Sequence, residues 1–166
     1  MLWSRCCLSA ALIAGLASSS AAADRAELEK QLSETLSGSV LVGTFTVDGV
    51  KMDKPAIPER YELKSVEKIN DKMWRFTARI KYMQHDVTLP VAVPLVWAGD
   101  TPMISMTNVS IPGLGDEFSA RVLFYDGRYA GTWQHGKFGG HMWGKIEKKA
   151  ESDESKDPVP AEKPAA

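Results

Sequence analysis

Cysteine is the scarcest resource in this chain. Of 166 residues only Cys6 and Cys7 carry a thiol, and none follows from Leu8 onward. Disulfide frameworks, cysteine nucleophiles, covalent haem attachment and cysteine-ligated metals are therefore excluded together for the body of the protein. What holds the fold must be an apolar core, which a domain of roughly 120 residues is large enough to bury.

A long hydrophobic run is also missing. The apolar stretch from Cys6 to Leu16 falls short of the about 20 residues that a spanning helix needs. Arg5 precedes it and Ala21-Ala22-Ala23 follows it, the layout of a secretory leader. The pattern predicts a signal peptide over 1–23 with cleavage after Ala23, a secreted or periplasmic protein, and no stable membrane insertion once the leader is gone.

Neither sign of charge dominates. The formal net charge is −1, and −2 once Arg5 leaves with the leader. Basic residues such as Arg75, Arg79 and Lys81 alternate along one predicted strand and read as its solvated face, so no nucleic-acid partner is expected.

Catalytic signatures are equally sparse. The chain has no G-x-S-x-G or Ser-x-x-Lys element for an activated serine. The glycine-rich stretch 136–140 precedes a strand pattern, not a helix, and so lacks the N-terminal dipole that makes a phosphate loop work. Asp116-Glu117 and His85-Asp86 fall in predicted turns, where an aspartate commonly bonds its own backbone. His135 and His141 flank the glycine turn and are weak candidates for a metal; no third ligand is placed beside them. The expectation is a protein without cofactor and without enzymatic activity.

What the sequence does have is alternation. Residues 73–83 place Trp74, Phe76, Ala78, Ile80 and Tyr82 on one face and Arg75, Thr77, Arg79 and Lys81 on the other, a half-buried strand. Ser39 to Val47, Arg60 to Ile69, Val87 to Trp97, Met103 to Ile111 and Phe118 to Tyr125 read as further strands, with turn residues between them. The stretch from Tyr125 to Ile146 adds a final aromatic hairpin, in which Gly131 and Gly144 are expected to bend the wall. Ahead of these strands, Leu28, Leu32 and Leu36 form a narrow stripe on a short amphipathic helix over 24–38, stopped by Gly38. The longest internal loop, Gly49 to Glu59, holds Met52 and Ile57, which read as two incidental apolar residues of a surface loop or, alternatively, as a lid over a cavity. Residues 148–166 are charged and rich in Pro and Ala, a composition expected to be disordered.

Pro90 and Pro94 lie four apart, so both remove N–H donors from the same lateral edge of their strand. That predicts an open or bulged seam toward Met103 to Ile111. Eight strands in up-and-down order, most joined by short turns, avoid free edges by closing on themselves. The predicted fold is accordingly all-β: an eight-stranded antiparallel barrel over 39–147 behind the N-terminal helix.

The helix, the Gly43-Thr44-Phe45 element of the first strand, the long first loop and the strand count resemble the calycins, the lipocalin-like barrels, whose first strand carries Gly-x-Trp. Phe45 stands where that tryptophan would be, and Gly131-Thr132-Trp133 matches the element more closely but near the opposite end of the chain. The segment Tyr-Ala-Gly-Thr-Trp-Gln-His-Gly also resembles small secreted bacterial proteins to which no activity is attached. The calycin resemblance implies binding of a small hydrophobic ligand within the barrel. Phe45, Trp74, Phe76, Trp97, Phe118, Tyr129 and Trp133 are the candidate lining residues. A densely packed interior, a structural or protein-interaction module, and an enzyme using His135 or His141 are the alternatives.

Overall fold

Alternation of apolar and polar residues obliges each strand to bury one face, and the computed structural model shows how the chain does so. It describes residues 17–49, 56–82 and 85–149. Helix α1 (Ala17–Leu36) precedes strands β1 (Ser39–Phe45), β2 (Ile57–Lys68), β3 (Met73–Tyr82), β4 (His85–Ala98), β5 (Thr101–Ile111), β6 (Gly115–Tyr125), β7 (Arg128–His135) and β8 (Phe138–Lys148). The eight strands run antiparallel in sequence order and β8 pairs back onto β1, closing the barrel.

The inner wall is apolar and the outer wall carries the charges. Leu41, Leu63, Phe76, Ala78, Val93, Val122 and Phe124 are buried inside. Arg75 outside pairs with Glu67, and Arg79 with Asp86. A membrane-spanning barrel has the reverse polarity, apolar toward lipid and polar within. Among the described residues no helix is long and apolar enough to cross a membrane.

Helix α1 closes one end. Leu32 and Leu36 pack with Val66 and Trp74 in the main core. Strand β2 extends past the start of β1, since the pairing ends at Ser39 opposite Leu63, and the helix covers the edge that is left. The Ser33 hydroxyl donates to the Val66 carbonyl at 2.6 Å, and the Val66 N–H donates to Ser37 Oγ at 2.9 Å. A bulge between Leu63 and Ser65 re-aims β2 just before this contact. Gly38, at φ +68°, supplies the left-handed residue that ends the helix and turns the chain into β1, as the sequence predicts.

Several boundaries differ from expectation. Helix α1 begins at Ala17, upstream of residue 24 and across the predicted cleavage point after Ala23, and Asp116 and Glu117 lie in β6 and not in a turn. Strand β2 begins at Ile57, so Pro58 and Glu59 belong to a strand and not to the first loop; Pro58 is tolerated because it sits near the strand's start. His85 and Asp86 likewise lie in β4, paired with Tyr82 and Lys81. Asp86 accepts two hydrogen bonds from Arg79, at 2.7 and 3.0 Å, in place of a local turn bond. Met52, the predicted leader up to residue 16, and the tail from residue 150 lie outside the described residues.

The seam beside the prolines is open, as their spacing predicts. Strand β4 pairs with β3 over ten positions but with β5 over only four, Leu95 to Ala98 against Ile104 to Thr101. Pairing stops where Pro94 would have to donate. The Leu95 N–H points to the Lys72 carbonyl on the β3 side. By alternation the missing donors of Pro94 and Pro90 therefore face β5.

Candidate functional site

The barrel interior is not filled. A cavity of about 350 Å³ runs from the mid-barrel toward the end opposite α1, where Leu114, Phe118 and His135 stand at its rim. That volume is at the lower end of small-molecule sites, about 300–1,000 Å³. Five of the seven candidate aromatics line it: Phe45, Phe76, Phe118, Tyr129 and Trp133. The other two do not, which corrects the expectation. Trp74 is 1% exposed in the core beneath the helix. Trp97 lines a separate groove between α1 and the barrel, with the Arg25 guanidinium 4.5 Å above its ring. Both side chains point inward as alternation requires, but α1 occupies their end of the barrel.

The mouth is built by two similar elements from opposite ends of the chain. Phe45, from Gly43-Thr44-Phe45, meets Trp133, from Gly131-Thr132-Trp133, edge to face at 5.8 Å between ring centres. Trp133 Nε1 donates to the Thr46 carbonyl at 3.1 Å, which fixes the indole at the rim. Phe118 and His135 stack at 4.0 Å. His141 lies on the outer face of β8, with its Nδ1 3.9 Å from Asp48. The two histidines sit on opposite faces of the wall, so the structure does not bring them together. Among the described residues no cluster of three His, Cys, Asp or Glu is placed to hold a metal.

One polar group stands deep in this apolar space. Glu59 is only 7% exposed and lines the cavity. Its Oε1 accepts a hydrogen bond from the Tyr129 hydroxyl at 2.7 Å, and its Oε2 accepts one from the Tyr61 hydroxyl at 2.9 Å. Burial pushes the Glu59 carboxyl above its ordinary value, because the charged form loses water; the two tyrosine bonds oppose that shift. Burial and the bond to Glu59 likewise raise Tyr129 far above the usual phenol range, so its hydroxyl remains a donor.

The Tyr129–Glu59 bond spans four strands, and two glycines make it possible. Register places Tyr129 opposite Gly144, Gly144 opposite Gly43, and Gly43 opposite Glu59. The tyrosine ring lies across the inner surface of β8 and β1 to reach the carboxylate. A Cβ on Gly144 would come within 2.7 Å of the ring, and one on Gly43 would meet the hydroxyl itself. The neighbouring backbone comes as close, with the Trp143 carbonyl at Gly43 and the Val42 carbonyl at Gly144, so these interior glycines admit both a close backbone approach and the crossing tyrosine.

Glu59 and Tyr61 are absent from the sequence-derived candidates. Their signal was the i, i+2 run Glu59-Tyr61-Leu63, which becomes visible only when β2 is extended back across Pro58.

Outside the barrel, register also aligns an uncharged row. Val96, Met103, Leu123, Ala130, Trp143, Thr44 and Pro58 are successive cross-strand partners from β4 round to β2. Val96, Leu123 and Trp143 in this belt are exposed, as is Phe138 at the β7–β8 turn.

Comparison of the chain with protein-family models, with curated proteins and with solved structures gives no match.

Proposed function

We propose that this protein binds a small hydrophobic ligand inside its barrel and does no covalent chemistry on it. The observation that carries the reading is the cavity itself: about 350 Å³ of apolar, aromatic-lined space reaching one end of the barrel while α1 closes the other. Close packing is the rule for protein interiors, and a void of this size without an occupant forfeits contacts along its whole lining. A ligand restores them. The calycin resemblance of the sequence points the same way. The reading includes export to a secreted or periplasmic location, supported by the leader pattern over 1–23.

Titration with the neutral fluorescent probe N-phenyl-1-naphthylamine tests the reading. Saturable one-to-one enhancement is expected for the wild type. It should vanish in Ala120→Phe, whose added ring projects from the buried inner wall into the cavity, while the far-ultraviolet circular dichroism spectrum is retained. No enhancement in the wild type, together with native mass spectra of protein from its own compartment showing no bound molecule, would refute a carrier role.

The exposed belt through Leu123 and Trp143 favours a second reading, a β-module that docks on another protein. That reading predicts loss of a partner on Trp143→Ser with probe binding intact.

A further inference from the structure

Among the described residues, Glu59 is the only acidic residue lining the cavity, and no Lys or Arg lines it. Among the described residues, no cation lies within 4.0 Å of its carboxylate. Both of its hydrogen-bonded neighbours, Tyr61 and Tyr129, spend their protons on it. The polar corner of the cavity is therefore rich in acceptors: the remaining lone pairs of the two carboxylate oxygens and of the Tyr129 phenolic oxygen. A ligand that fits must bring donors. We infer that Glu59 is the cavity's polar anchor and that it selects an amine carrying an apolar chain or ring. The inference rests on the cavity being a ligand site.

An ammonium supplies what the corner lacks. It brings the counter-charge that a buried carboxylate requires, and several N–H donors for oxygens already oriented by the two tyrosines. Aromatic faces on the same wall, Phe45 and Trp133 among them, favour a cation further. A carboxylate ligand would set two like charges together where water cannot screen them. An alcohol brings one donor and no charge. His135, the imidazole of the lining, stands at the rim stacked on Phe118.

Three ligands sharing one chain separate these cases: decylamine, decanol and decanoate, each titrated calorimetrically below its micellar concentration at neutral pH. The expected order is amine, then alcohol, then carboxylate, with decylamine at least tenfold tighter than decanol at one-to-one stoichiometry. Glu59→Gln should collapse the amine-over-alcohol preference at least tenfold. Decanoate binding as tightly as decylamine overturns the inference, as does a preference unmoved by Glu59→Gln in a folded variant. Should that variant fail to fold, the wild-type ranking alone decides. If decanol and decanoate bind and decylamine does not, the anchor is refuted while the cavity reading survives; if none of the three binds, both fall together.

Discussion

The two ends of the barrel are made of the same kinds of residue and do opposite things. At the helix end, Trp74 and Leu36 are wholly enclosed, and the hydroxyls of Ser33 in α1 and of Ser37 just after it satisfy the edge of β2. At the other end, Phe45 packs on Trp133 and Phe118 on His135, and all three aromatic side chains line the open cavity. An aromatic side chain acquires its role from what covers it. Here α1 is the cover, and it covers one end.

Substitution should make the contrast measurable. Trp74→Ala removes the largest enclosed side chain and should cost about 3–5 kcal/mol in urea unfolding. Trp133→Ala at the mouth loses one hydrogen bond and one ring contact, and should cost about 1–2 kcal/mol while weakening probe binding severalfold. Equal losses at the two positions would erase the distinction between the ends. Gly144→Val, placed between them, drives a side chain into the Val42 carbonyl and the Tyr129 ring; overpacking predicts about 1–3 kcal/mol or more, and the same substitution at Gly139, where a Cβ would meet the Trp133 carbonyl at 3.1 Å and the Gln134 side chain only at 3.7 Å, provides the milder comparison.

A smaller effect follows from pH. Because the Glu59 carboxyl is raised above its ordinary value of 4.5 by burial, the folded protein holds this proton more tightly than the unfolded chain does. Its favourable contribution is complete below the unfolded value and is lost as pH rises through the folded one. Urea midpoints for wild type and Glu59→Gln between pH 4 and pH 8 should therefore diverge, with the wild type losing ground as pH rises; parallel curves would mean that Glu59 titrates as it does in water. The smallest change is expected from Phe138→Ser at the exposed β7–β8 turn, within about 0.5 kcal/mol.

Much of this was legible in the sequence, and the reasons are local. Alternation in 73–83 specifies both faces of β3, and Gly38 and the helix leucines specify how α1 ends and what it buries. The spacing of Pro90 and Pro94 specifies which edge of β4 lacks donors. The anchor was not legible, because Pro58 reads as loop and hides Glu59 from the face it shares with Tyr61. Nor can alternation say which inward aromatics meet empty space: Trp74 and Phe76 are neighbours on one face of β3, and only the docking of α1 separates their fates.

The short β4–β5 pairing bears on how the barrel comes together and how it breathes. Of all the cross-strand pairings that close the wall, this one has the fewest residue pairs, and those it has are clustered at the helix end. Ring closure at this line gains little from backbone bonding, so it ranks as the weakest joint of a cylinder whose other joints each hold six or more residue pairs. Amide exchange should begin there, and a guest too large for the mouth would find its lowest barrier between Val91 and Met106. Two prolines thereby give a closed sheet something an uninterrupted cylinder cannot have, a side that unzips before the rest.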